Sequence, residues 1–299
     1  MLFPHPLRLT MVAGTMVIAM TAAGCVDIGA TGPLSYMERE EKSFTTTGRP
    51  DLTISTFDGS IEVRPWDRAE VLIVIEKYAP TRSMTSEIEV RSEQNGDRIT
   101  VEARAKRPDH SIVFFGAGRS ARMIVSLPAS SDVRATSGDG SIDVERIAGR
   151  LELRSGDGSI RGRELSGDIK AQTGDGSIRL ESINGTLDVA TGDGRIIAAG
   201  TLSTLRARSG DGSVRIRADE GSAAEEDWDI YTGDGAVTLE LPDRFNAQLD
   251  ASAGDGHISL GSRAISDVLN QSRRSVRGRL GAGGRTVRVR TGDGSITLR

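Results

Sequence analysis

The sequence is poor in the residues that staple or fill small globular domains. Its single cysteine, Cys25, excludes an intrachain disulfide. Aromatic residues make up only 4% of the 299 residues, so a core has to be built from Ile, Val and Leu. The formal net charge of −4 is small and excludes a strong overall field that would attract nucleic acid or an anionic membrane. We therefore expect no nucleic-acid partner.

Long apolar runs are also rare, and the clearest one lies near the N-terminus, from Leu9 to Ala23. It is shorter than the ~20 residues that span a bilayer and is typical of the hydrophobic region of a signal peptide. The run ends at Ala22-Ala23-Gly24-Cys25, which resembles the lipobox of bacterial lipoproteins. In that family the cysteine thiol receives a diacylglyceryl group, the chain is cut before it, and the new N-terminus is acylated.

These features predict a lipoprotein signal peptide in residues 1–24 and a lipid anchor, with acyl chains such as palmitate, on Cys25. An ordinary signal peptide cut nearby, or a short membrane anchor, is the alternative. Lipoproteins kept at the inner membrane commonly carry Asp directly after the cysteine, whereas Val26 stands there in this chain. We thus expect a lipid-anchored protein of the cell envelope, at the outer membrane if the cell has two membranes.

Glycine is abundant, with 36 residues, and much of it falls in one repeated tripeptide. Gly-Asp-Gly occurs eight times, and the first four intervals between copies are 18 residues each. A fixed period of this kind is the signature of a solenoid, in which each coil buries its apolar face against its neighbours. The central residues of the eight copies are Asp139, Asp157, Asp175, Asp193, Asp211, Asp234, Asp255 and Asp293.

Apolar residues alternate with polar ones on both sides of the tripeptide, which indicates two short strands per coil, each with one apolar face. A coil with three faces of six residues is the alternative, but stepping six residues at a time from Ile142 reaches Arg154. The predicted fold class is therefore all-β. It is a parallel β-solenoid of two-sided, 18-residue coils, preceded by an irregular strand-rich section.

We interpret the repeated residues as turn chemistry. Glycine adopts positive φ at no steric cost, and aspartate can accept hydrogen bonds from nearby backbone N–H groups. The Ser or Thr before the tripeptide has inward parity and can bond across coils or to the turn. The competing interpretation is a row of carboxylates that binds cations, but calcium takes six to eight oxygens and each coil offers one carboxylate. We therefore expect no metal site.

Composition divides the chain into four segments. The signal peptide of residues 1–24 is followed by a flexible tether (25–50), a strand-rich N-terminal section or cap (51–130) and the Gly-Asp-Gly solenoid (131–299). Within the cap, Asn95-Gly96 stands between alternating apolar runs and predicts a β-hairpin.

Charged residues follow the period as well. Glu152, Lys170, Asp188 and Arg206 are 18 residues apart and alternate in sign, which indicates control of register between paired strands. A more one-sided arginine stripe after the turns would suit anionic polysaccharide or lipid headgroups, although a solvated face explains it too. The stripe consists of Arg161, Arg163, Arg179, Arg215 and Arg217.

Two insertions interrupt the period, and inserted loops of solenoids often lie on a binding face. Residues 217–229 are acidic, and residues 261–285 are basic. Neutral change in loop length explains both insertions too. The candidate binding residues in them are Trp228, Arg273, Arg274 and Arg277.

No catalytic set is evident. Beyond the predicted signal peptide the chain retains only His110 and His257, and no G-x-S-x-G, H-E-x-x-H or phosphate-loop pattern occurs. We expect no catalytic residues and no cofactor. An enzyme that acts on cell-wall polysaccharide, with Asp and Arg on one face, is the weaker alternative.

Four motifs occur together: Pro65-Trp66-Asp67, Leu127-Pro128, the repeated [ST]-G-D-G-S-[IV], and the stretch from Gly281 to Leu298. As a set they resemble a bacterial β-strand-repeat family named as putative adhesins, domain of unknown function 4097, over about residues 50–299. The resemblance implies a β-solenoid at the cell envelope and supplies no agreed activity or site residues.

The expected function is a noncatalytic, lipid-anchored envelope scaffold or adhesin-like module. A binding module for anionic polysaccharide or lipid headgroups is the alternative. The expected partners are the membrane, through the anchor, and polysaccharide or envelope proteins. The last coil ends at Arg299 without a polar cap, so we expect residues 261–285 to cover its edge or the chain to self-associate there.

Overall fold

The computed structural model describes residues 36–106, 118–261 and 265–299, and most of them lie in β-strands. One short helix, α1 (Arg82–Thr85), interrupts the strands. The strands before the regular repeats are β1 (Tyr36–Thr45), β2 (Asp51–Thr56), β3 (Ile61–Trp66), β4 (Glu70–Ala79), β5 (Ile88–Asn95), β6 (Arg98–Ala105) and β7 (Ser120–Pro128). Those of the regular coils are β8 (Asp132–Ser137), β9 (Ile142–Glu145), β10 (Ala148–Ser155), β11 (Ile160–Arg163), β12 (Ser166–Thr173), β13 (Ile178–Thr191), β14 (Ile196–Ser209) and β15 (Val214–Ala218). The C-terminal strands are β16 (Trp228–Thr232), β17 (Val237–Glu240), β18 (Ala247–Ala253), β19 (Ile258–Ser259), β20 (Ser266–Gln271), β21 (Ser275–Leu280), β22 (Thr286–Thr291) and β23 (Ile296–Leu298).

The strands of the described residues form one continuous sheet that folds back on itself into two facing layers, here called sheet 1 and sheet 2, which confirms the predicted parallel β-solenoid of two-sided coils. Sheet 1 contains the strands before each Gly-Asp-Gly, in the order β5-β6-β2-β8-β10-β12-β13-β14-β16-β22-β18-β21-β20. Sheet 2 contains the strands after it, in the order β1-β4-β7-β3-β9-β11-β13-β14-β15-β17-β23-β19. The long strands β13 and β14 contribute to both sheets. Antiparallel pairs occur only near the two ends of the stack.

Each coil buries alternate residues of both strands, and it also buries one residue at the corner opposite Gly-Asp-Gly. This corner row, Ile147, Leu165 and Ile183, is at most 1% exposed. The residues just before it, Arg146, Glu164 and Ser182, have positive φ values of 52°, 53° and 56°. A left-handed residue reverses the alternation of the strand, so the next side chain points inward. Alternation of apolar and polar residues in the sequence therefore did not predict that this row is buried.

At the N-terminal pole of the stack, part of the segment predicted to be a flexible tether is a paired strand. Tyr36–Thr45, which falls within the predicted flexible segment 25–50, forms β1 and pairs antiparallel with β4. Lys77 on β4 is only 7% exposed, and its Nζ lies 3.0 Å from Glu40 of β1. Burial opposes ionisation of Glu40, but hydrogen bonds with Lys42 and Lys77 outweigh it and lower its pKa. The charged residues of β1 made this strand look like a polar linker in the sequence. Charged side chains that point inward on an edge strand also disfavour pairing with a further strand.

The described part of the strand-rich section 51–130 contributes coils to the solenoid as well as a cap. The β5–β6 hairpin forms as expected, with Gly96 at a φ of 61°. Strands β2 and β3 stack on β8 and β9 on one side and pair in parallel with β6 and β7 on the other, so residues 51–66 form a coil inside the stack. Only the strands added outside them, among them β1 and β5, close the N-terminal pole.

The C-terminal coil lies out of sequence order. Strand β22 pairs with β16 on one side and β18 on the other, and β23 pairs with β17 and β19. Residues 286–298 therefore fill a slot between the coils of residues 228–240 and 247–259. The expectation that the last coil of the sequence leaves an exposed edge is wrong. Strand β21, within the segment 261–285, instead covers the coil of residues 247–259 through the antiparallel pair β18–β21.

The alternation of charge along sheet 1 continues through this order. Arg288 lies between Asp229 and Asp250, which would face each other if the coils were stacked in sequence order. Opposite charges directly across paired strands stabilise a sheet and like charges destabilise it. The complete row alternates in sign without a break: Arg134, Glu152, Lys170, Asp188, Arg206, Asp229, Arg288, Asp250 and Arg277.

Candidate functional site

The Gly-Asp-Gly tripeptides stack along one edge of the solenoid. A Cβ added to the second glycine, for example Gly212, would lie under 3.0 Å from the backbone carbonyl of the glycine in the preceding coil, Gly194. The same holds for every copy, and none of these glycines has φ in the left-handed range. Glycine is therefore required by the close approach of stacked turns, and the predicted need for positive φ is wrong.

Seven of the eight turns are preceded by Ser or Thr, and this hydroxyl makes polar contacts that hold the stack, as its inward parity predicted; Ala253 stands before the remaining turn. Thr191 Oγ1 donates to the carbonyl of Gly176 in the preceding coil at 2.9 Å and accepts from the N–H of Gly194 in its own turn at 3.2 Å. Such bonds satisfy backbone groups that the tight turn leaves buried. The hydroxyls that donate across coils belong to Ser137, Ser155, Thr173, Thr191, Ser209, Thr232 and Thr291.

The eight aspartates lie at these turns with exposed side chains. Within the described residues only Asp255 has a partner for its carboxylate, at 3.3 Å from Arg274. The turn hydrogen bonds expected of the aspartates are thus made by Ser and Thr instead. The described residues contain no group of three or more His, Cys, Asp or Glu side chains arranged to hold a metal ion. We name this row of exposed carboxylates, one per coil and ~4.8 Å apart, the aspartate ladder.

The arginine stripe on sheet 2 is largely neutralised by its neighbours. Arg161 lies 3.5 Å from Asp143, and Arg163 pairs with Glu145, whose pKa this hydrogen bond lowers. The remaining pairs are Arg179–Glu181 at 3.4 Å and Arg217–Asp219 at 3.0 Å. Among the stripe residues, Arg215 alone has no ion pair or hydrogen bond from its side chain to the described part of the chain.

The acidic insertion does not expose the tryptophan that its composition suggested as a binding residue. Trp228 is 0% exposed, packs on Phe245 with ring centroids 4.9 Å apart and donates from Nε1 to the carbonyl of Ser203. It is a core residue, so its predicted role in binding is wrong. The lack of aromatic residues elsewhere made an isolated tryptophan in an acidic stretch look functional.

The basic insertion is paired with the coil it covers. Arg277 lies 3.0 Å from Asp250 and Arg274 lies 3.3 Å from Asp255. Arg273 is exposed at the hairpin between β20 and β21. Leu269 on β20 is 83% exposed, the largest value among the large apolar side chains of the described residues.

A serine–histidine pair escaped the sequence reading. Ser295 Oγ lies 2.9 Å from His257 Nδ1, on adjacent coils, because both occupy the position after Gly-Asp-Gly. The signal was His257 itself, which replaces the usual serine of the repeat. A catalytic base is normally oriented by a third group, yet no other partner of this imidazole occurs among the described residues, and the pair is open to solvent. The pair alone does not form a catalytic site.

Two predicted residues, Cys25 and His110, lie outside the described residues. No helix within the described ranges is long and apolar enough to cross a membrane.

Comparison with known proteins identifies the family. The profile of the Toastrack DUF4097 family matches residues 50–299. Similar solved structures include a putative adhesin from Parabacteroides merdae, with 10% sequence identity and a TM-score of 0.41. The match covers 92% of this chain and 100% of the adhesin chain. A putative lipid binding protein from Parabacteroides distasonis shares 12% sequence identity at a TM-score of 0.41. That match covers 87% of this chain and 96% of the other chain. No functionally curated protein matches the chain. On the family match, which spans most of its length, the chain belongs to the Toastrack DUF4097 family.

Proposed function

We propose that the protein is a noncatalytic, lipid-anchored scaffold of the cell envelope, which displays its solenoid as an adhesin-like module to polysaccharide or envelope proteins. The observation that carries this proposal is the position of β1 at the end of sheet 2. Residues 26–35 separate Cys25 from Tyr36, and ten residues span at most about 35 Å. A lipid on Cys25, at the outer membrane where the cell has two, would hold this pole near the bilayer. The opposite pole would project about 50 Å outward.

The interior of the solenoid supports a structural role. The hydroxyls that recur in every regular coil are committed to backbone carbonyls of the neighbouring coil. A nucleophilic hydroxyl would instead be paired with a base that activates it. The recurring chemistry of the chain therefore serves stacking.

The anchor is tested by comparing the native chain with Cys25→Ser in the source cell type or a related bacterial host. We expect palmitate labelling and detergent-dependent membrane partition for the native chain and loss of both for Cys25→Ser. Globomycin should cause the unprocessed native chain to accumulate. Equal membrane partition of the two chains, with no palmitate label in either, would contradict the proposed lipid anchor on Cys25.

The absence of catalysis is tested at the one serine–histidine pair. We expect no covalent labelling of the native protein by a fluorophosphonate probe. Labelling that disappears in Ser295→Ala and His257→Ala, but persists in the matched repeat variant Ser213→Ala, would reveal a reactive serine and contradict the scaffold role.

A further inference from the structure

The coil of residues 192–200 departs from the repeat at three outward positions. Arg195 follows its Gly-Asp-Gly, where Ser177 and Ser213 stand in the coils on either side. Ile197 and Ala199 occupy outward positions of β14 that are mostly charged in the adjacent coils. The departures lie on β14 or directly before it, so they alter one place on sheet 2.

The pairing of the strands places these departures at a notch in the surface of sheet 2. Ile197 lies between Arg179 of β13 and Arg215 of β15, its partners on the two flanking strands. Those strands are separated by two strand spacings, ~9.6 Å, and their long side chains stand on either side of a short apolar one. Ala199, two residues further along β14, is only 9% exposed. The notch has a volume of about 550 Å³ and is lined by Asp175, Ser177, Arg179, Asp193, Arg195 and Ile197.

The positive charge at the notch is less compensated than elsewhere on the stripe. Arg195 Nε donates to Ser213 Oγ at 3.2 Å, a neutral partner. Arg215, on the next strand, has no ion pair or hydrogen bond from its side chain to the described residues. The guanidinium group of Arg195 at the notch, and that of Arg215 on the strand beside Ile197, therefore have no carboxylate partner within the described residues. Asp175 and Asp193 of the aspartate ladder also line the notch; they are exposed and lack partners within the described part of the chain.

We propose that this notch binds a short acidic segment of a polysaccharide. The carboxylate or phosphate of an acidic sugar would be held by Arg195 and Arg215, because guanidinium groups bind such anions through paired N–H donors. The apolar face of a sugar ring would lie on Ile197. The sugar hydroxyls would donate to Asp175 and Asp193.

The two aspartates favour a saccharide over a lipid surface. A surface made only of anions would face repulsion from these two carboxylates, whereas an acidic sugar also presents hydroxyls that can donate hydrogen bonds to them. The proposal goes beyond the display role and does not depend on the lipid anchor, because binding can be measured in solution.

The test titrates the full chain carrying Cys25→Ser with four probes. The probes are an oligogalacturonate, its neutral methyl ester, a phosphorylated oligomannose and phosphatidylglycerol vesicles. We expect the carboxylated or the phosphorylated oligosaccharide to bind, and the two arms identify which anion is preferred. The neutral ester and the vesicles should not bind.

The variants locate the site. Arg195→Ser restores the repeat and Arg215→Gln removes the second cation, and together they should weaken binding about tenfold or more, as expected for lost charged hydrogen bonds. The matched control is Arg290→Gln, an exposed arginine on sheet 1, which should change the affinity less than about twofold. Circular dichroism checks that all variants are folded.

Three results would overturn the proposal: no binding of either acidic oligosaccharide at millimolar concentration, equal weakening by the control, or binding to the vesicles alone. None of them bears on the anchor, which is tested separately by Cys25→Ser partition.

Discussion

The regular coils between Ile142 and Ala218 and the C-terminal coils between Trp228 and Leu298 follow the same local chemistry but a different order. In the first region the chain stacks coils in sequence order at a period of 18 residues. In the second the intervals lengthen to 23, 21 and 38 residues, and the last coil is inserted between two earlier ones. The glycine contacts, the cross-coil hydroxyl bonds and the charge alternation continue across the insertion. Local interactions therefore determine how a coil joins its neighbour, and sequence order does not determine which neighbour it joins.

Electrostatic complementarity distinguishes the coils where burial does not. Val287 and Val289 of the inserted coil and Leu249 and Ala251 of its neighbour are all buried aliphatic residues, so either stacking order would bury similar surface. Only the observed order places Arg288 between Asp229 and Asp250. Each such pair contributes roughly 0.2–1 kcal/mol to the stability of the sheet, in addition to the packing of the inserted coil.

The largest effect should come from the turn glycines, and it should be equal in the two regions. Gly212→Ala and Gly294→Ala each force a Cβ against a backbone carbonyl, of Gly194 and Gly235 respectively. We expect each to lower the free energy of unfolding by about 2–4 kcal/mol, measured by urea denaturation. Gly118→Ala is the control, because no atom of the described residues lies within 4 Å of its added Cβ. A neutral Gly294→Ala would mean that the C-terminal coil is not tightly stacked.

The next effect concerns the cross-coil hydroxyls. Thr191→Val in the regular region and Thr291→Val in the inserted coil each remove a hydroxyl that both donates to and accepts from backbone groups. We expect a loss of about 1–3 kcal/mol in each. Thr238→Val, at an outward position of β17, should be nearly neutral. A loss for Thr191→Val alone would show that the inserted coil is held differently.

A smaller effect tests the charge row. A double-mutant cycle with Asp229→Asn and Arg288→Gln should give a coupling of roughly 0.2–1 kcal/mol. The pair Lys170 and Asp188, at 3.9 Å in the regular region, should give a similar value. Coils stacked in sequence order would separate Asp229 from Arg288 by ~9.6 Å and leave the cycle with no measurable coupling.

The smallest effect lies on the aspartate ladder. Asp157 has like-charged neighbours in both adjacent coils, whereas Asp255 has Arg274 as a partner. Asp157→Asn should raise the unfolding free energy by a few tenths of a kcal/mol at low salt, and Asp255→Asn should not. The difference should vanish in about 0.5 M salt. Equal gains in both variants would indicate that Arg274 does not compensate Asp255.

Part of this architecture could be predicted from the sequence. The 18-residue period and the apolar alternation gave the two-sided coil, and the signs of Glu152, Lys170, Asp188 and Arg206 gave its register. The corner at Arg146 was missed because a left-handed arginine carries no compositional signal. Trp228 was misjudged because loop composition does not reveal whether a side chain turns inward.

The order of the C-terminal coils was missed for a different reason. Neighbouring elements of a chain usually lie side by side, and that rule predicts a terminal coil at the edge. The sequence did contain the contrary signal, since Asp229 and Asp250 have the same sign and Arg288 has the opposite one.

The order of the coils can be measured directly by disulfide cross-linking in a Cys25→Ser background. Arg290 is paired with Tyr231 on one side and Ser252 on the other. A disulfide needs Cα atoms roughly 4.4–6.8 Å apart, which adjacent strands satisfy and strands two spacings apart do not. We predict cross-links in Tyr231→Cys/Arg290→Cys and in Ser252→Cys/Arg290→Cys, and none in Tyr231→Cys/Ser252→Cys. A cross-link between positions 231 and 252, with none between 231 and 290, would contradict the inserted coil.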